Sequence, residues 1–287
     1  MLILGGYNAR LFWPNANVLE GLSYALLAKI SIRGIKLQLK RMTSVIKNQP
    51  TLPFLRSVVD EMCSLILSQM DQIQSHRYEI TWKPDGSPVT NSDVLIENLI
   101  HGFLREKFPG IAFAGEESYS QTDAAHEEGY YAILDPIDGT ENFCSGLKIW
   151  GVSFTLWHSR KHLISLLFLP ELGDRLMTGD VIRPVHSRIN GFSSSMCQEI
   201  LDGMGDAEES RLMGCAVFNM YSVITGSFAR FSNPRGAYAW DLLPGLILAL
   251  EHCCEVHVDG KPYQGHFLEP SGRYRVDIRH RYDLHSR

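Results

Sequence analysis

The sequence has no apolar run near the ~18 residues that a membrane-spanning helix needs, so no integral membrane segment is expected. Its 6 cysteines are scattered without a C-x-x-C pair, which removes the usual zinc-ribbon and thiol-redox signatures. That usage fits buried, reduced thiols and a cytoplasmic location. There is no H-E-x-x-H pattern and no G-x-x-x-x-G-K-S/T loop, so a zincin-type protease and a nucleoside triphosphatase are both unexpected. Positive charge is short as well. The 27 Lys and Arg stand against 32 Asp and Glu, a net charge of −5. Backbone recognition of nucleic acid needs concentrated Lys and Arg, so no nucleic-acid partner is expected. No repeat or low-complexity tract occurs.

What is present is acid in particular places. The run Tyr130-Tyr131-Ala132-Ile133-Leu134 leads into Asp135-Pro136-Ile137-Asp138-Gly139-Thr140. This reads as a buried strand delivering an acidic turn to its end. Pro136 lacks an N–H and has a fixed φ, so the strand is expected to stop there. Upstream, Ile111 to Ala114 reads as a short strand running into Gly115-Glu116-Glu117-Ser118. Asp241 follows Trp240 at the start of an apolar helix, Leu242 to Cys254. If these ends converge, their oxygens can hold two or three hard divalent ions, magnesium, manganese or calcium rather than zinc. Without cations between them, such clustered charges repel. Each acid also has an ordinary alternative: Asp135 and Asp138 as turn formers, Glu116 and Glu117 as a solvated pair, Asp241 as a helix-dipole partner.

The remaining pattern alternates helices and short strands. Pro53 to about Gln74 has apolar residues near period 3.6. Lys83 to Val89 reads as a turn-rich loop. Thr90 and Asp93 form a capping-box-like pair ahead of a helix over Val94 to Phe108, stopped by Pro109-Gly110. Ile149–His158 and His162–Leu169 read as a strand pair joined by a basic turn. Residues 172–212 show little signal. Ala216–Arg230 and Leu242–Cys254 read as helices, and Glu255–Val258 as a strand before an Asp-Gly turn. The layout is that of a layered α/β or α+β protein.

Four ordered segments together carry a family resemblance: Lys83 to Asp93, Gly115 to Ser118, Asp135 to Phe143, and Trp240-Asp241. The chain, from roughly Leu52 to about Tyr263, resembles the inositol monophosphatase superfamily. The resemblance implies a five-layer αβαβα sandwich with its site between an N-terminal half, about 52–183, and a C-terminal half, about 184–287. It implies a cytoplasmic, magnesium-dependent and lithium-sensitive phosphomonoesterase, with manganese as a possible substitute, and a homodimer. It assigns a first metal to Glu116, Asp135 and the carbonyl of Ile137, and a second to Asp135, Asp138 and Asp241. A third, weaker ion would rest near Glu116. Asp93 would accept from the Thr140 hydroxyl, and Thr140 would orient the attacking water. The N–H groups of Gly139 and Thr140 would receive phosphate oxygens. No phosphoenzyme is expected, because Ser118 lacks a Ser–His–Asp signature.

The substrate wall departs from the family pattern. Relatives commonly carry a sugar-binding glutamate within the segment corresponding to Phe231–Ala239, and none occurs here. Asn233 or Arg235 would occupy that region, with Arg235 suited to a second phosphate or simply to the surface. Ala216 falls where the resemblance places a small residue against the sugar. Inositol monophosphate is the default small phosphorylated substrate. A 3′(2′),5′-bisphosphate nucleotide and histidinol phosphate are the alternatives, and a catalytically weak metal- or phosphate-binding regulator is the reading from another class. Residues 1–51 carry no family motif. Between Leu22 and Met42, Lys29, Arg33, Lys36, Lys40 and Arg41 recur without an acid. This reads as an accessory basic helix, as a surface touching an anionic membrane, or as a start site called ahead of Met42.

Overall fold

A computed structural model describes residues 50–84, 86–120 and 128–281. The basic segment Leu22–Met42 and nearly all of the N-terminal extension lie outside the described residues. Those described lie, Pro50 apart, in the compact unit Thr51–Arg287. No helix among them is long and apolar enough to cross a membrane.

The elements follow in chain order. Helices α1 (Leu52–Ser68) and α2 (Met70–Ser75) lead to the hairpin β1 (Ile80–Trp82) and β2 (Pro88–Thr90). Next come α3 (Asn91–Lys107), β3 (Ala112–Gly115), β4 (Tyr130–Asp138), the short α4 (Thr140–Cys144), β5 (Gly151–His158), β6 (Lys161–Leu169) and β7 (Asp174–Met177). The second part holds β8 (Ile189–Phe192), α5 (Gln198–Asp206), β9 (Glu209–Leu212), α6 (Ala216–Ile224) and β10 (Arg230–Tyr238). It ends with α7 (Ala239–Glu251), β11 (Glu255–Val258), β12 (Lys261–Pro262) and β13 (Arg273–Arg279).

Strands β3-β4-β5-β6-β7 form a five-stranded sheet, and β12-β11-β13-β10-β8-β9 a six-stranded one. Pairing is antiparallel except for β3 with β4 and for β8 with both β9 and β10. Helices α1 and α3 cover one face of the first sheet, α6 and α7 pack against both sheets, and α5 packs on β10 of the second. The result is the αβαβα order. One core, with Met62, Ile66, Ile96 and Ile100, lies under α1 and α3. The other fills the space around α6 and α7, whose Met220, Leu242, Leu246 and Leu248 are fully buried. A helix packed between two sheets needs apolar residues on nearly every face, which is why α7 reads as continuously apolar rather than striped.

Several expectations change. β4 does not stop at Pro136 but runs to Asp138. Its pairing with β5 slips register between Asp135 and Asp138, and the proline sits in that irregularity, where no ladder N–H is required. The first helix divides at Gln69. Pro88 and Val89, expected in a loop, pair in β2. The quiet segment 172–212 contains β7, β8, α5 and β9, three of them only four residues long and thus too short to show a period. The helix from Ala216 ends at Ile224, and β10 follows. Pro234 and Gly236 hide β10 from pattern reading, and a second register shift between Asn233 and Ala237 absorbs them.

One buried ionic contact ties these layers together beneath α4. The Glu171 carboxylate accepts from Trp150 Nε1 at 2.8 Å and pairs with Arg77. The Arg77 guanidinium lies 4.6 Å from the ring centre of Phe143, on α4. Glu171→Ala would strand a buried guanidinium, so urea denaturation is expected to show a loss of about 3–5 kcal/mol.

Candidate metal centre and adjoining cavity

Each central acid is set by a local backbone device. Glu116 follows β3, and its N–H donates to the Leu134 carbonyl at 3.1 Å, which continues the strand pairing. The turn is pressed against α3, where buried Glu97 accepts from the Glu117 N–H at 2.9 Å. A β-carbon on Gly115 would run into the Glu97 carboxylate, so a larger residue there would have to displace that side chain. Asp135 lies in β4, and its Oδ1 accepts from the Ile137 N–H at 3.0 Å. Asp241 is the third residue of α7, and its Oδ2 accepts from the Tyr238 N–H at 2.7 Å in a capping interaction.

The fold brings these three acids together. One carboxylate oxygen from each of Glu116, Asp135 and Asp241 lies within 4.8 Å of the others. Asp135 Oδ2 is buried and has no hydrogen-bond partner among the described residues. Burial, then the charges of Glu116, Asp241 and Asp138, push the Asp135 carboxyl well above the usual range. Burial, then Glu116 and Asp138, do the same to Asp241. Lys83 answers part of this charge, its Nζ lying 2.8 Å from Glu116 and 2.7 Å from Glu117. Burial still pushes Glu117 up to about 7 against the pull of Lys83. An all-oxygen donor set with surplus negative charge and an orphaned buried oxygen is what a hard divalent cation fits.

Asp138 stands at the rim of this cluster. Its Oδ2 accepts from the Cys215 thiol at 2.9 Å and from the Val217 N–H at the start of α6. Burial pushes its carboxyl up to about 6, although the thiol and that N–H pull it down. Beside it opens a cavity of about 190 Å³, lined by Asp138, Asp241, Ala216, Asn219, Asn233 and Arg273 among others. A larger cavity of about 740 Å³, around Arg188, Arg211 and Phe228, contains none of the acids named here. Of the two, only the smaller one is bordered by these acids, through Asp138 and Asp241.

The other expected residues divide. Asp93 is buried in its capping box, with Oδ2 accepting from the Thr90 N–H at 2.8 Å and its hydroxyl at 2.6 Å. Its Oδ1 is buried and has no partner among the described residues. Burial pushes this carboxyl up to about 6, against the two Thr90 donors. The expected Thr140-to-Asp93 hydrogen bond is absent. The Thr140 hydroxyl has one proton and donates it to the Ile137 carbonyl at 2.9 Å. That same carbonyl is the one expected at the first metal.

Gly139 adopts φ +86°, and a β-carbon there would sit 3.0 Å from Cys215 Cβ and 3.3 Å from the Ile149 carbonyl. Both the turn and the packing exclude a larger residue. Asn233 lines the cavity, but its Oδ1 is occupied by the Gly236 N–H at 3.0 Å. Arg235 does not line the cavity. It is exposed and donates to the Met196 carbonyl at 3.3 Å, because the bulge in β10 turns it to the outside. The guanidinium that does line the cavity, Arg273, was not assigned from sequence, nor were Cys215, Asn219 and the run Ser193–Ser195. Lys83 lay in a recognised segment without an assigned role. Arg273 gave no local signal, since its place depends on β13 pairing Arg273 with Tyr238 of β10.

Comparison with known proteins finds relatives of this chain by sequence and by fold. The model of the inositol monophosphatase family matches residues 47–186. The uncharacterized protein y4fL of Sinorhizobium fredii is 30% identical over 216 residues, covering 69% of this chain and 75% of the relative. An inositol-1-monophosphatase of Mesorhizobium japonicum is 25% identical over 198 residues, covering 60% and 73%. Among solved structures, an IMPase/NADP phosphatase complexed with Mg2+ and phosphate superposes with a TM-score of 0.68 at 19% identity, over 80% of this chain and 92% of that one. At that identity the likeness speaks for the fold.

Proposed function

This chain belongs to the inositol monophosphatase family and is a metal-dependent phosphomonoesterase; on that premise we propose that it hydrolyses the phosphate ester of a compact polyol, with inositol monophosphate the leading candidate. The observation that carries this reading is the convergence of Glu116, Asp135 and Asp241 beside a small cavity. At about 190 Å³ the cavity is below the ~300–1,000 Å³ usual for drug-sized ligands, which favours a sugar-sized group over an adenosine bisphosphate.

Glu116, Asp135, Asp138, Asp241 and the Ile137 carbonyl would hold magnesium, or manganese in its place, in two or three positions. Bound there, such ions neutralise phosphate charge, lower the pKa of water and stabilise the departing alkoxide. The protein's own part is orientation and proton movement. The free Oδ1 of Asp93 is an acceptor held rigid by the capping box. Thr140 would exchange its Ile137 acceptor for Asp93 and align the attacking water. The N–H groups of Gly139 and Thr140 would receive phosphate oxygens. Ala216 leaves room for the ring, and Asn219 Oδ1, without a partner among the described residues, offers an acceptor to a ring hydroxyl. A homodimer, lithium inhibition and a cytoplasmic location belong to the same proposal.

Phosphate release by the purified protein tests it, with magnesium and a panel of inositol 1-phosphate, histidinol phosphate and 3′-phosphoadenosine 5′-phosphate. Inositol 1-phosphate should be turned over fastest and the nucleotide slowest. Magnesium binding without turnover of any member would move the protein to the regulatory class.

A further inference from the structure

Resting on the phosphatase reading above, we infer that Cys215 is a positioning residue for the reaction: its thiol holds the Asp138 carboxylate in the orientation a divalent cation requires. The two side chains are 77 positions apart and belong to different elements, β4 and the cap of α6. Cys215 Sγ lies 2.9 Å from Asp138 Oδ2. An ionised carboxylate only accepts, so the hydrogen in this contact is the thiol's. The Val217 N–H donates to the same oxygen. Both donors occupy Oδ2, which leaves Oδ1 to face an ion beside the cavity that Asp138 and Cys215 both line.

The sulfur is itself held from its other side. It accepts from the Phe218 N–H at 3.3 Å as the cap of α6, so its donor and its acceptor are each used. The backbone leading to it is anchored as well. Asn142, on α4, donates from Nδ2 to the Met213 and Ile149 carbonyls, both at 2.7 Å. Cys215 also backs the residue after Asp138. A β-carbon on Gly139 would lie 3.0 Å from Cys215 Cβ and 3.2 Å from the Gly214 carbonyl. Residues 213–215 thus press the acidic turn against the cavity wall.

A neutral donor suits this place. Lys83 pairs with Glu116, and an ammonium group so placed subtracts from the charge that a cation needs. A thiol orients Asp138 and leaves that charge to the ion. Capping α6 does not call for the contact with Asp138, since a cap uses only the acceptor side of the sulfur.

The test measures magnesium affinity of the full chain from the concentration dependence of thermal unfolding. It compares Cys215→Ala, Cys215→Ser, Asp138→Asn and the alanine and asparagine changes combined. Cys215→Ala should weaken magnesium binding by about 10- to 100-fold, the range for a group that orients a metal ligand. Cys215→Ser keeps a donor and an acceptor and should stay within a few-fold of the unaltered protein. With asparagine at position 138, Cys215→Ala should change affinity little further, because the thiol acts through that carboxylate. An equal loss in both backgrounds marks a helix cap alone and overturns the inference, as does unchanged affinity in Cys215→Ala. A serine variant that binds magnesium tenfold more weakly than the unaltered protein overturns it whether or not the alanine variant folds. The two readings separate. Inositol 1-phosphate, histidinol phosphate and 3′-phosphoadenosine 5′-phosphate all left uncleaved overturns the phosphatase reading, whereas magnesium affinity decides the role of Cys215.

Discussion

Asp241→Asn is expected to lower kcat/KM by about a thousandfold or more while making the metal-free protein more stable. The activity loss corresponds to the several kcal/mol that a divalent Lewis acid supplies to phosphate ester cleavage. The gain in stability follows from the crowding of acids. Burial and the charges of Glu116 and Asp138 hold the Asp241 carboxyl well above its ordinary value of 3.8. A raised folded-state pKa means that the folded protein binds more protons than the unfolded one. Stability must then fall as pH rises from the ordinary carboxylate value toward the raised one. Asparagine removes that penalty, and its own oxygen can still accept from the Tyr238 N–H that Asp241 caps.

In EDTA at pH 7 the variant should therefore unfold at higher temperature, by an amount on the order of 1 kcal/mol or more, with the difference shrinking toward pH 4. Magnesium should raise the midpoint of the unaltered protein more than that of the variant. Thermal scans with and without magnesium, paired with phosphate release, read both effects. A variant that is less stable in EDTA and still active would remove the acidic cluster from the mechanism.

Asp93→Asn is expected to lower kcat by about 10²- to 10³-fold, within the range for a positioned proton acceptor, with KM changed only a few-fold. Asparagine keeps an oxygen for the Thr90 donors, so the helix cap survives. What it removes is the negative charge at the unpartnered Oδ1. Asp93 must be ionised to accept a proton, and burial has pushed it up to about 6. Activity of the unaltered protein should thus fall as pH drops through about 6, and this acid limb should flatten in the variant. Rates from pH 5 to 8 in magnesium, together with Thr140→Val, measure it. Activity within twofold of the parent would leave Asp93 as a helix cap alone.

The acids of this site were legible because each announces itself in its own neighbourhood. Asp135 and Asp138 bracket a proline beside a glycine, Glu116 ends an apolar strand, and Asp241 opens an apolar helix. The same holds for Thr90 and Asp93, whose capping box spans only four residues. Where reading failed, the deciding contact was remote or the local pattern was broken. The Thr140 hydroxyl was expected on Asp93, and packing gives it to the Ile137 carbonyl instead. Arg235 and Arg273 are both cationic residues near the end of the chain. Which one met the cavity depended on the bulge after Asn233 and on the pairing of Tyr238 with Arg273.

By itself the amino-acid order determined the layered α/β class, the starts of α1 and α6, the acidic turns and the kind of cation they suit, since these follow from period, capping and ligand hardness over a few residues. The convergence of Glu116, Asp135 and Asp241, the orphaned oxygens of Asp93 and Asp135, the size of the cavity and its arginine were decided only by tertiary structure. Those features depend on two sheets and a shared helix layer bringing together groups as far apart as Asp138 and Arg273, 135 positions. No local energy term in the chain records such distances.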